Sequence, residues 1–286
     1  MHFTAAFAAA VLSATTVLAA PQPMGHGLEA RMAARRGANL KHISQPIKKN
    51  GKTAQIAGVN ATINAPTKTE VEYSSNWAGA VIEEPPSGTF TAVSGKFTVP
   101  TPGVPSGSSG AGEYAASAWV GIDGDTYGNA ILQTGVDFYA TSSGSYSFDA
   151  WYEWYPDYAY NFNGIDISAG DVITVTVESS SSSAGTAVVE NETTGQRVSK
   201  SLTAPESSAT LGGQNAEWIV EDFESNGSLV AFADFGSVTF TDATAETSSG
   251  GSYGPSDGSI IDIEQGSTVL TSVSVGSGEV TVTYTG

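Results

Sequence analysis

The chain has 286 residues, of which 29 are acidic, 11 basic and three histidine, with no cysteine. All three histidines (His2, His26, His42) and eight of the 11 cations lie in the first 70 residues beside two acids, a balance of +6, whereas the remainder sets three cations against 27 acids, a balance of -24. A body without His or Cys excludes Ser-His-Asp and Cys-His catalysis, His-ligated zinc and a disulfide scaffold, and Lys96, Arg197 and Lys200 are too few to track a phosphate backbone, so nucleic acid is not an expected partner.

In chain order, residues 1–20 join a short apolar run, Ala5 to Leu12, to Val17, Ala19 and Ala20 ahead of Pro21. This pattern predicts a secretory signal peptide cleaved after Ala19 or Ala20, and hence an extracellular protein. The run is too short to cross a bilayer and nothing later is long enough, so no membrane association is expected. Residues 21–69 are basic, with pairs at Arg35-Arg36 and Lys48-Lys49 and a helix-compatible stretch from Leu28 to Lys41. They read as a propeptide, the alternative being a disordered basic tail. A positive segment tethered to a strongly negative body associates at neutral pH and releases as carboxylates protonate, so the propeptide is expected to be an intramolecular inhibitor.

Residues 70–286 suit one domain, expected to be monomeric, whose stability must come from packing and hydrogen bonds alone. Sequons at Asn191-Glu192-Thr193 and Asn226-Gly227-Ser228 are potential glycan acceptors, and Asn60-Ala61-Thr62 would leave with the propeptide. Period-two alternation and β-branched runs predict strands at Phe90 to Val99, Ser117 to Ile122, Ile131 to Tyr139, Val172 to Glu178, Thr186 to Val189, Leu229 to Phe240, Val269 to Val275 and Val280 to Tyr284. Gly, Ser, Pro and Asn clusters separate them, and no helical stripe follows Val71. The expected fold is all-β: an antiparallel sandwich, a concanavalin-like jelly roll of two curved sheets with a concave face.

With imidazole and thiol absent from the body, carboxylates are the natural acids and bases. They titrate near 4, and the self-repulsion of the body fades as they protonate, so an acidic working environment is expected. Gly250-Gly251-Ser252-Tyr253-Gly254 matches a nucleophile elbow but has no His to serve it. Asp123-Gly124-Asp125 imitates the start of a calcium loop, yet Tyr127 and Thr134 stand where ligands should be, so neither metal nor cofactor is expected. Between Tyr146 and Phe162, nine of 17 residues are aromatic, and Trp151, Tyr152, Trp154 and Tyr155 point to both faces of a strand. Some of these must face solvent or a cleft; aromatic-lined concave sheets bind polysaccharides or extended peptides, the alternative being plain core and loop packing. Three classes remain: a two-carboxylate glycosidase, for which Glu153 and Glu217 could serve, an acid peptidase, and a lectin-like module. A propeptide favours the peptidase, which must be kept silent until it is exported.

Six blocks of residues then carry a resemblance: Asn76 to Ala80, Phe97 to Pro100, Ser117 to Gly124, Leu132 to Asp137, Trp151 to Pro156 and Ala216 to Glu221. Together they resemble the fungal glutamic peptidases, or eqolisins, and the likeness covers Val71 to Tyr284. It implies a β-sandwich acid endopeptidase, insensitive to pepstatin, acting on polypeptides with a Gln and Glu dyad at Gln133 and Glu217. By the same resemblance Glu217 activates water and later protonates the leaving amine, while Gln133 orients the water and donates to the oxyanion. Trp119, Asp123 and Asp137 fall in matching blocks and are expected to orient the dyad or line the cleft, and Trp151 and Glu153 resemble the family's substrate-side hairpin. Two departures stand out. Ala115, Tyr127, Tyr139 and Gly212 occupy places where some relatives carry cysteine, and Pro102 to Tyr114 lacks the basic insert whose removal splits one relative, so a single mature chain is expected.

Overall fold

The structure, a computed structural model, describes residues 54–55 and 70–286 apart from Ser109 and Asn226. The predicted signal peptide, nearly all of the predicted propeptide and the sequon asparagines Asn60 and Asn226 lie outside the described residues.

Two sheets face one another. The first runs β1 (Ala54–Gln55), β2 (Glu70–Ser74), β17 (Ser259–Gln265), β3 (Trp77–Ile82), β12 (Ala216–Glu221), β5 (Glu113–Ile122), β6 (Ile131–Thr141), β7 (Tyr146–Tyr155) and β8 (Tyr160–Asn161), with β18 (Thr268–Val269) on β17. The second runs β11 (Gln196–Thr203), β10 (Ala184–Asn191), β9 (Val172–Ser181), β4 (Phe90–Thr98), β15 (Ser237–Thr247), β20 (Glu279–Tyr284) and β19 (Thr271–Gly276), with β16 (Ser252–Tyr253) on β15. A small ribbon, β13 (Glu224–Ser225) with β14 (Ser228–Leu229), and one 3-10 turn at Pro255–Asp257 complete the described elements. The expected β-sandwich is therefore present. One departure from antiparallel order is the parallel pairing of β17 with β2, Ile260 opposite Val71, which is possible because these strands are distant in sequence and no hairpin constrains them.

Packing between the sheets follows from alternation. Along β12, Ala216, Trp218 and Val220 turn inward to meet Phe97, Phe138 and Phe240 in one apolar cluster. The Trp218 indole N–H crosses to the second sheet and donates to the Ser94 carbonyl at 2.8 Å. Gly95 leaves space for that indole, since a Cβ there would sit 3.1 Å from Trp218 Cδ1.

Several strand boundaries differ from expectation. Leu229 to Phe240 is not one strand: Leu229 ends β14, β15 begins at Ser237, and between them the ladder pairing is reduced to isolated bridges, Phe232 to Ala115 and Asp234 to Gly103. Val269 to Val275 is broken at Leu270. The strands β3 and β12 are buried at every residue, which erases the alternation that would have revealed them. Asn191, a predicted glycan acceptor, is fully buried, and its amide donates to the Asp166 carbonyl and Asp171 Oδ2 at 2.9 and 2.8 Å while accepting from Thr193 and Thr194. The folded protein leaves that nitrogen no room for a glycan.

The places where cysteines were expected are filled in pairs. Ala115 faces Tyr139 in register, and Tyr127 packs against Gly212, whose Cβ would lie 2.8 Å from the Tyr127 ring. Each phenol is anchored: Tyr127 donates to the Thr210 carbonyl at 3.0 Å and Tyr139 to Asp137 Oδ2 at 2.9 Å.

Candidate active site

The outer face of the first sheet holds every sequence-predicted site residue except Asp123, which lies in the loop after β5. Strand register sets them in rows. One row crosses five strands as Val81, Glu217, Gly121, Gln133 and Glu153. The next is Ile219, Trp119, Gly135 and Trp151, and a third is Trp77, Glu221, Ser117, Asp137 and Asp149.

In the first row Gln133 and Glu217 sit two strands apart, with Gly121 between them. That glycine is what lets their side chains share one space. A Cβ on Gly121 would stand 2.7 Å from Glu217 Oε1 and 2.9 Å from Trp119 Cζ3. Both residues are fully buried, and both oxygens of Glu217 and both polar atoms of Gln133 have no hydrogen-bond partner among the described residues. Buried polar groups are ordinarily satisfied, so four orphaned atoms on two residues of one row mark a place built to receive something polar.

Glu217 is raised well above the ordinary carboxylate range, first by its burial and then by the negative charges of Asp123 and Asp125. Asp123 also shapes the chain that carries Glu217. Its backbone is left-handed, φ 66°, a conformation Asp tolerates better than most residues. Its carboxylate accepts four backbone N–H groups, from Gly212, Gly213, Gln214 and Asn215, at 2.7 to 3.3 Å. Burial raises its pKa and those four donors oppose the rise. Asn215 answers by accepting from the N–H groups of Asp125, Thr126 and Tyr127 at 3.0 to 3.1 Å. The two loops are thereby sewn together immediately before β12 begins, and the start of β12 is where Glu217 lies.

Trp119 and Trp151 flank Gly135, which has no side chain because a Cβ would fall 2.4 Å from Trp119 Cβ. The Trp151 N–H donates to Ser117 at 3.0 Å, and Asp137 accepts from Tyr139. Asp137 and Trp151 thus belong to the rows below the pair, not to its immediate edge. Glu153 lies directly beyond Gln133. Its Cα is three strand spacings from that of Glu217, about 14 Å, with Gln133 and Gly121 on the strands between them. Residues not singled out from sequence are Gly121, Gly135 and Glu221. All three lie inside or beside the quoted blocks, but nothing local distinguishes a spacer glycine or a buried acid from its neighbours.

No cluster of His, Cys, Asp and Glu able to hold a metal occurs among the described residues, and none of their helices is long and apolar enough to cross a membrane.

Residues 75–284 match the model of the peptidase A4 family. The chain is 52% identical to aspergillopepsin-2 of Aspergillus niger over 289 residues, covering 96% of both chains, and 41% identical to scytalidopepsin B of Scytalidium lignicola, covering 98% of both. Among solved structures, that of scytalido-glutamic peptidase with a transition state analog inhibitor is similar at a TM-score of 0.64 and 43% identity, covering 74% of this chain and 98% of that one.

Proposed function

The chain belongs to the peptidase A4 family and is a glutamic-type endopeptidase acting on polypeptides, and on that premise we propose that Gln133 and Glu217 are its catalytic pair, working in acid. The observation that carries this reading is the set of four buried polar atoms without a hydrogen-bond partner among the described residues, on two residues of one row separated by the side-chain-free Gly121.

A water between them would be held by both side chains. Glu217, as carboxylate, takes a proton from that water while its oxygen adds to the scissile carbonyl carbon. The carbonyl π electrons move onto oxygen, and the Gln133 amide N–H stabilises the oxyanion. As the tetrahedral adduct collapses, the C–N bond breaks and Glu217 returns its proton to the departing amine nitrogen. An amide keeps its donors at any pH, so oxyanion stabilisation persists where an imidazole would be protonated and useless as a base. The raised pKa of Glu217 favours the later step, in which it returns a proton to the amine; the same shift makes the carboxylate that begins the cycle the minor form in acid, and a stronger base than an ordinary carboxylate when it is present.

Export by residues 1–20, silencing by residues 21–69 and release in acid complete the proposal; the apolar run and small residues ahead of Pro21 support the first, and the charge contrast between the basic segment and the acidic body supports the other two. Carboxylates paired with a basic propeptide have depressed pKa values, so their attraction is present at neutral pH and lost as pH falls through those values. The deciding experiment incubates the protein with denatured casein at about pH 3 with pepstatin present. Cleavage that requires both Glu217 and Gln133 is expected, and hydrolysis retained by both Glu217→Gln and Gln133→Ala sinks the pair. A precursor converting equally fast at pH 3 and pH 7 sinks the acid release.

A further inference from the structure

Glu221 takes no part in the mechanism above, yet it is a fully buried carboxyl on the same face of the same strand as Glu217, one turn of the pleat beyond Ile219. Its Oε2 accepts the Trp119 indole N–H at 2.9 Å, and its Oε1 accepts the Asn76 amide at 3.3 Å. Asn76 is itself fixed, since its Oδ1 accepts from the Ser74 hydroxyl at 2.9 Å and its carbonyl from the Asp222 N–H at 2.8 Å. Trp77 meets Trp119 edge-on, ring centroids 4.8 Å apart, and its own N–H approaches Glu221 without completing a hydrogen bond.

Burying a carboxyl is costly, and an apolar residue would fill the same volume at lower cost. What the carboxyl adds is aim. An indole has a single donor, so anchoring its N–H decides which way the ring lies. With that end held by Glu221, the opposite benzo edge lies over Gly121, where Cζ3 and Glu217 Oε1 flank the same point at 2.9 and 2.7 Å. A reversed ring would leave a buried N–H without an acceptor and withdraw that edge from Glu217. One hydrogen bond at the far end of Trp119 therefore sets the wall beside the reacting carboxyl.

We propose that Glu221 is a positioning residue for the hydrolysis: through Trp119 it holds the apolar wall against which Glu217 and its water are aligned. The proposal rests on the assignment of Gln133 and Glu217, so Glu217→Gln is measured in parallel. If Glu217→Gln stays active, that assignment fails whatever Glu221 does.

The test uses the full chain after acid activation, with denatured casein at about pH 3. Glu221→Leu is expected to lower kcat about tenfold or more while KM stays within about threefold, as for loss of one buried hydrogen bond at a positioning group. Glu221→Gln keeps an acceptor and should restore kcat to within about threefold of the parent. The double variant Glu221→Leu with Trp119→Phe should be no slower than Trp119→Phe alone, because both break one linkage. Parental kcat in Glu221→Leu, or losses that multiply in the double variant, overturn the proposal. Should Glu221→Leu not fold, replacing Trp119 by benzothienylalanine removes only the donor, and undiminished kcat in that protein overturns the proposal equally.

Discussion

The two faces of the first sheet are built from the same strands and are equally dry, but they differ in how their polar groups are treated. On the inner face of β12, Trp218 is surrounded by aromatic and aliphatic side chains and its one polar atom is matched to Ser94. On the outer face, Glu217 is just as buried and has no partner for either oxygen among the described residues. The inner face is apolar with its polar atom satisfied, and the outer one holds unsatisfied polarity at a fixed place. One strand thus serves both purposes because period two separates them by a single residue.

That contrast can be broken from either side. The largest effect is expected on the outer face, where Glu217→Gln should reduce kcat on casein at pH 3 by about 100-fold or more while the melting temperature stays at or above the parental value. On the inner face Trp218→Ala should do the reverse, costing about 3 to 5 kcal/mol in denaturant unfolding by opening a cavity between the sheets. Gly121→Ala sharpens the comparison, because its methyl would intrude 2.7 Å from Glu217 Oε1 into the proposed water position. Turnover should fall at least tenfold, against a destabilisation of about 1 to 3 kcal/mol read by the same denaturant titration.

A subtler effect concerns pH. Burial raises Asp222 to about 8 and Asp262 to about 6, with Gln265 and Thr271 opposing the rise. These groups bind protons more tightly folded than unfolded, so the stability they contribute is full below the ordinary carboxylate pKa near 4 and drains away as pH climbs towards 8. Denaturant unfolding should accordingly show the protein weaker at pH 7 than at pH 4. Asp222→Asn should reduce that difference by about 1 kcal/mol or more, and an unchanged difference would assign the weakening to other carboxyls.

Much of the architecture was legible in the chain. Strands with one wet face, such as Val172 to Glu178, announced themselves by alternation, and the lack of any helical stripe pointed to a sandwich. Strands β3 and β12 did not, because a strand buried on both sides writes no period into its sequence. The site divides in the same way. Glu217 could be offered, beside Glu153, simply as a carboxylate, whereas Gln133 could be chosen only by resemblance, since its meaning depends on neighbours in two other strands. Gly121 and Glu221 were illegible for a related reason: a gap and a far-end anchor are properties of register, and register is settled by the whole sheet.

The Tyr127 and Gly212 pair and the Tyr139 and Ala115 pair have a consequence for how this molecule can be made. Each joins the chain across a distance by a large ring seated on a small residue, with the phenol hydroxyl tied down nearby. Volume does there what sulfur would otherwise do. Folding of the body consequently calls for no oxidant and no disulfide isomerase, and the folded state is indifferent to redox potential, so a reducing host cytosol should yield the same body as a secretory pathway.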